Sequence, residues 1–565
     1  MAHRSRRGPI AALRHLGRTP LPSRRSDRRR MTPRCEGDLV NTDRSVRALM
    51  QIEKRAERAD DSQLVETFVD TGSVFASLLT PSNQIVYGRR GTGKTHAIRY
   101  LGTKVLGDNQ ISIYLSLDHI GSTAGLYADP GTDLALRATR LLVDVITTLH
   151  EGLFEYFVNL DEIPSEALAA SDALCEAITH VRVEGPVTVE TNARADSSSS
   201  SGGEFDLTVS KDPALSIRAS DSSSHATSVG RSVSATGTAL HRVHLGETQA
   251  AIRRLATSLP TKRIWFLLDE WSSIPIDLQP YLADMLRRAL LNVPKITVKI
   301  AAIEYRSLFR ISSSDGAWIG AEVGADIFAD LNLDDYMVFN SSADRSSEFF
   351  NQLLYRHVGA VLDHPMSLSE FNSSAFTEVR AIRELARAAE GVPRDAINIA
   401  SKAAQRVYGQ SRPIGVPEVR SAADDWFQQD KSASTNGNPS AQDLLAKLRD
   451  EVIGHRQARA FLLRQDQVRD PVIQQLIDSR VLHLIKRGYS AQDEPGVRYD
   501  VLQIDYGCYV NLMRTSKEPK GLLPLDGVDA SGGDVFVDVP PDDMRSIRRA
   551  ILRLESLVSD STSSA

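Results

Sequence analysis

Eight residues, Gly88, Arg89, Arg90, Gly91, Thr92, Gly93, Lys94 and Thr95, fit the spacing G-x-x-x-x-G-K-[ST]. That spacing serves polyphosphate binding. The glycines let the main chain close around an anion, and successive N–H groups turn inward. The start of the following helix adds the positive end of a dipole. Lys94 can reach the β- and γ-phosphates, and Thr95 can offer its hydroxyl to Mg²⁺. His96, next in the chain, completes the candidate nucleotide-binding set.

A second constellation supplies acids. The apolar run 264–268 ends in Asp269 and Glu270. In an open parallel sheet, nucleotide ligands sit at the carboxyl ends of such buried strands. Asp269 would hold Mg²⁺, and Glu270 would polarise an attacking water as a general base. Standing alone, this would read as a core strand capped by two solvated acids. Downstream of a phosphate loop, the nucleotide reading is preferred.

These residues need elements that carry them. Residues 83–87 read as a short buried strand before the loop, and 96–101 as the start of a helix behind it. Residues 111–118 alternate as a strand, whereas 134–149 and 166–180 show helical spacing. Helices at 248–258 and 278–291 and a strand at 295–303 continue the order. One more short strand is expected within 326–339, near 336–339. Strands alternating with helices imply an α/β fold: a parallel sheet with helices on both faces.

Residues 181–245 interrupt that order. Serine supplies 14 of the 50 residues from 191 to 240, too polar a composition to bury a core. Period-two alternation at 181–183, 187–189, 205–209 and 215–217 suggests short exposed strands on Ser-rich loops. A partner-binding or substrate-binding arm and a tolerated surface excursion both fit, with the excursion preferred. From 343 the pattern turns helical, and Gly391-Val392-Pro393-Arg394 reads as a helix stop followed by a new helix start that exposes Arg394. Residues 431–440 read as a linker. Helices at 444–452, 458–463 and 471–479, then a hairpin pairing 481–486 with 497–504, suggest a winged helix.

The expected organisation is a leader at 1–40, an ATPase core at 41–342 interrupted by the insertion, and a helical lid at 343–430. A winged-helix-like domain at 441–525 and a C-terminal segment with a polar tail at 526–565 complete it. The leader holds ten arginines against one acid in its first 30 residues, and reads as a disordered tail or as a start belonging at Met31. The net charge of −5 argues against coating nucleic acid by bulk electrostatics. Three scattered cysteines offer no zinc or disulfide framework and suit a reducing cytoplasm. No apolar run is long enough to span a bilayer, so no membrane partner is expected.

With these pieces in order, the chain resembles the AAA+ ATPases, and among them the origin-recognition and replication-initiator clade in a bacterial variant. The resemblance spans roughly residues 65–180 and 245–510. It rests on Gly88 to Thr95 as Walker A, Leu267-Leu268-Asp269-Glu270 as Walker B, and Gly391 to Arg394 as the second sensor. It implies ATP and Mg²⁺ as ligands, ATP hydrolysis, and an Arg394 that reaches the γ-phosphate from the lid. It also implies an arginine finger from a neighbouring copy, with Arg287, Arg288, Arg306 and Arg310 as candidates. Glu304 departs from the small polar residue usual at the first sensor, and would repel a triphosphate unless Mg²⁺ or Arg306 lay between. Two outputs stay open. One is a switch acting on duplex DNA through the winged helix. The other is a signalling or defence ATPase whose C-terminal module binds protein. Asp493 and Glu494, in the turn where a wing meets phosphate, weigh against DNA.

Overall fold

The computed structural model describes residues 33–519 and 551–554, except 71–72, 109, 121–130, 161–163, 185–186, 192–205, 209–230, 236–237, 242, 313–315, 338–342, 490–495, 514 and 516–517. The first element among the described residues is α1 (Pro33–Gln51), which starts inside the segment expected as a leader. Then come α2 (Asp61–Thr67), α3 (Val74–Leu78), β1 (Gln84–Tyr87), α4 (Lys94–Gly107) and β2 (Ile111–Ser116). Helix α5 (Leu134–Val158) starts where Asp133 accepts from the N–H groups of Ala135 and Leu136, and α6 (Ser165–Thr179) follows.

The insertion contributes β3 (His180–Glu184), β4 (Val187–Thr191), β5 (Asp206–Thr208), β6 (Arg231–Ala235) and β7 (Thr238–His241). β3 pairs antiparallel with β5 and β7, and β4 with β6. The strand expected at 215–217 lies outside the described residues.

The core resumes with α7 (Leu245–Ser258), β8 (Ile264–Asp269), α8 (Gln279–Leu286) and β9 (Ile296–Ala302). A hairpin of β10 (Arg310–Ser312) and β11 (Trp318–Gly320) precedes β12 (Phe328–Asn332) and α9 (Leu333–Met337). Five strands form one parallel sheet in the order β12-β1-β9-β8-β2. Every residue of β8 and β9 is buried, as befits central strands covered on both faces. Successive β8 side chains part company. Phe266 and Leu268 pack with residues of α5 to α8, while Trp265 and Leu267 pack with residues of α3 and α4. The fold is therefore an α/β P-loop NTPase core with helices on both faces. The short strand expected within 326–339 is 328–332 rather than 336–339: Tyr336 and Met337 end α9, and 338–339 lie outside the described residues.

The lid comprises α10 (Ala343–Val361), α11 (Leu368–Ala375), α12 (Val379–Ala388), α13 (Pro393–Val407) and α14 (Val416–Trp426). Helix α1 belongs to this body, not to the core: Val46, Leu49 and Ile52 share an apolar cluster with Leu354, Phe371 and Ile399. The C-terminal module follows as α15 (Pro439–Leu448), β13 (Ala460–Arg464), α16 (Gln465–Val468), α17 (Pro471–Asp478), β14 (Leu482–Tyr489) and β15 (Tyr499–Ile504). Its antiparallel sheet runs β13-β15-β14. The helix expected at 458–463 is thus strand β13, since a short apolar run buried throughout has no periodicity to separate the two. The turn holding Asp493 and Glu494 lies outside the described residues.

The segment expected as a linker is packed helical chain. Lys431 is 1% exposed, and its ammonium is paired with Asp505 and, at 2.8 Å, with Asp395. Phe461, Leu463 and Leu502 of the module share the lid's apolar cluster, so lid and module have one continuous core. No helix among the described residues is long and apolar enough to cross a membrane. Replacing Lys431 with Met strands two buried carboxylates, and a loss of about 3–5 kcal/mol in denaturant unfolding is expected. An unchanged midpoint would show that the pair bears no weight.

Candidate nucleotide site

The phosphate loop leaves β1 and enters α4 as expected. Gly91 and Gly93 take positive φ, 87° and 94°, so the loop coils where other residues would be strained. A Cβ on Gly91 would lie 3.0 Å from Val392 Cγ1 and 3.1 Å from Arg394 Cβ, so the loop touches the start of α13 directly. The Arg394 N–H donates to Gly91 O at 3.3 Å. Lys94 is buried, and its ammonium donates to Gly88 O at 3.0 Å and Arg89 O at 3.1 Å, leaving one of three donors for a ligand oxygen. Burial lowers its pKa, while Glu270 and Asp269 oppose that shift, so the two acids and the ammonium act on one another across one site.

A cavity opens over the loop. Arg90, Gly91, Gly93, Lys94, Thr95, His96, Glu270 and Arg394 line it. The sequence assigned all eight. Arg394 is partly buried and approaches Glu57 Oε1 at 4.0 Å, rather than standing free in water. Burial lowers its pKa, as does Arg480. Asp269 is 1% exposed at the end of β8, with its Oδ1 accepting the Glu270 N–H at 2.8 Å. Glu270 turns the chain in a left-handed conformation with φ of 53°. Burial and the adjacent Asp269 raise its pKa, the environment of a carboxylate that takes a proton readily.

The side chains of the other walls are not assigned one by one by the sequence, although residues 41–80 read as largely helical and able to pack over the adenine. Glu57, Ala59, Leu64 and Thr67 close one side, and Leu353, His357 and Ile397 of the lid close the other. Arg99 donates to Ala56 O at 2.6 Å and Ala59 O at 3.1 Å, holding the first wall against α4. His96 Nε2 lies 2.9 Å from Leu64 O. No local pattern marks these residues, because apolar side chains reach the cavity only through the fold.

Arg89 behaves differently from its neighbours. Its guanidinium turns away from the cavity and is 2.8 Å from Asp334 Oδ1, 2.6 Å from His483 Nδ1 and 3.1 Å from Glu390 O. A guanidinium only donates, so His483 Nδ1 must accept. The imidazole proton therefore sits on Nε2 and is donated to Asp505 Oδ2 at 2.8 Å. Burial, chiefly, lowers the His483 pKa to about 4.

The residues after β9 also face the C-terminal module. Glu304 pairs with Arg487 at 2.7 Å, the Tyr305 hydroxyl donates to Asp500 at 2.8 Å, and Arg306 pairs with Asp478. Arg487, not Arg306, thus neutralises Glu304. Of the candidate finger arginines, Arg287 and Arg288 pair with Asp284 and Arg310 pairs with Glu322, and none of the four lines the cavity. Among the described residues no group of three or more His, Cys, Asp or Glu could hold a metal by itself. Thr95 hydroxyl and Asp269 carboxylate are hard oxygen donors of the kind Mg²⁺ takes alongside substrate phosphates.

Residues 53–122 match a family model described as ORC-CDC6-like. The Orc1 protein of Aeropyrum pernix, solved in complex with DNA, aligns with a TM-score of 0.29 and 14% identity over 85% of this chain and 92% of that one. Two point mutants of Thermotoga maritima RuvB align with TM-scores of 0.21 at 12% and 16% identity. Each covers 37% of this chain, which spans 58% and 57% of the two RuvB chains. No curated protein matches. The segment carrying the phosphate loop is therefore ORC-CDC6-like, in line with the resemblance carried by the motifs.

The depressed His483 pKa has a defined sign. The unfolded chain takes up this proton first, so the contribution is complete above pH 6.5 and fades as pH falls toward about 4. His483→Gln cannot titrate there. Its stability deficit relative to the parent should narrow by about 2 kcal/mol between pH 7 and pH 5 in parallel denaturant melts. A deficit independent of pH would mean that the imidazole is not held neutral.

Proposed function

We propose that this ORC-CDC6-like chain is an AAA+ switch that binds and hydrolyses ATP with Mg²⁺, and whose C-terminal module is its output. One observation carries the reading. Three phosphate-site elements are tied to that module by side chains: the loop through Arg89 and His483, the end of β9 through Glu304 to Arg306, and the start of α13 through Asp395, which Lys431 and Arg480 grip.

The loop amides and Lys94 bind the triphosphate, and the walls at 56–67 and 353–397 exclude water from the base. Thr95 and Asp269 would hold Mg²⁺, which spreads the charge developing on the phosphoryl oxygens. Glu270 orients water and accepts its proton. Arg394, already in contact with the loop, can exchange its distant partner Glu57 for a γ-phosphate, so nucleotide binding pulls on the lid. Lid and module share a core, and the pull reaches the module. An arginine from a neighbouring copy is part of the same reading.

The element order favours duplex DNA as the target. Helix, strand, helix, helix, strand, strand, with sheet order β13-β15-β14, is the order of a winged helix. The chemistry favours protein. Helix α17 carries no Lys or Arg, while Arg480 and Arg487 face inward, paired with acids.

Lys94→Ala should lose nucleotide affinity. Glu270→Gln should bind ATP as the parent does and lose about 10²–10⁴-fold in turnover. Equal turnover in the two chains would remove the assigned base. In a salt series with duplex DNA, a phosphate-binding wing gives affinity falling steeply with salt. Absence of binding at low salt leaves the protein partner.

A further inference from the structure

We propose that Tyr114 is a positioning residue for Asp269, fixing the carboxylate that would hold the metal; this rests on the nucleotide reading of the site. Tyr114 lies on β2, which runs parallel to β8 with Tyr114 opposite Leu267 and Ser116 opposite Asp269. Its side chain leans along the strand to the sheet's carboxyl end, where its hydroxyl donates to Asp269 Oδ2 at 2.9 Å. The other oxygen accepts the Glu270 N–H, so the two bonds together fix the plane of the carboxylate. A carboxylate has about four acceptor positions, and two remain for metal or metal-bound water.

Packing does not account for the residue. β2 is the outer strand of the sheet's order, and Tyr114 is 38% exposed, whereas its strand neighbours Ile113 and Leu115 are buried. An exposed phenol could give its proton to water; here it is aimed inward at a buried acid. The ring is aimed from the other side as well. The Arg99 guanidinium lies 6.0 Å from its centroid, and Arg99 also holds the carbonyls of Ala56 and Ala59 in the cavity wall. Wall, arginine, phenol and metal acid form one line of contacts.

Tyr114→Phe removes only the hydroxyl. Binding of a fluorescent ATP analogue is measured first in EDTA, then across a Mg²⁺ titration, with turnover read in parallel. Analogue affinity in EDTA should match the parent, while the Mg²⁺ concentration at half-effect should rise about tenfold, the order set by a hydrogen bond to a charged acceptor. An unchanged Mg²⁺ midpoint overturns the assignment. So does an equal loss with and without metal, which marks a general structural defect. A parent that binds Mg²⁺ and the analogue without turnover defeats the hydrolysis reading alone, and the midpoint comparison still judges Tyr114. A parent that binds no nucleotide overturns both.

Discussion

A line of buried charge holds this molecule together. It runs from Asp334 through Arg89, His483, Asp505 and Lys431 to Asp395 and Arg480. Ions removed from water are costly, and their mutual attraction compensates only when geometry and partners are complete. Here each cation faces an acid or a fixed acceptor. The Trp426 indole also donates to Asp395 at 3.0 Å. Such a line is intolerant of partial disruption, because each member is the partner that makes its neighbours affordable. Its members come from the phosphate loop, the lid and the C-terminal module, so the relative placement of those parts is set by charge as well as by apolar packing.

That arrangement bears on how the site works. Arg89 stands within the phosphate loop but spends its guanidinium on support. The adjacent Arg90 and Lys94 face the cavity. The loop thus divides its cations between ligand and scaffold. The same division recurs after β9, where Ile303 lines the cavity and the next three side chains reach the module. Neighbouring positions in sequence serve opposite sides of one wall.

The placement of Gly88 to Thr95 between β1 and α4, and of Asp269–Glu270 at the end of β8, was legible in the sequence, because their local spacing is the one that phosphate and metal chemistry demands. The alternation of strand and helix was legible for the same local reason. What failed depended on distance. Lys431 sits among Ser, Asn and Gly residues that read as a linker, and only Asp395 and Asp505, remote in sequence, explain its burial. Residues 460–463 were assigned the wrong element, since a short apolar run carries no decisive period. Tyr114 was read as one position in an alternating strand. Its hydroxyl gains meaning only once β2 lies beside β8.

The packing of α1 has a mechanical corollary. Residues 52–60 leave a helix embedded in the lid and enter α2, where the Leu64 carbonyl meets His96 of the core. This strap is anchored on two different bodies, and its middle forms a face of the cavity. In the proposed reading, a swing of the lid would move that face of the cavity together with Arg394. One motion would then reach both ends of a bound nucleotide.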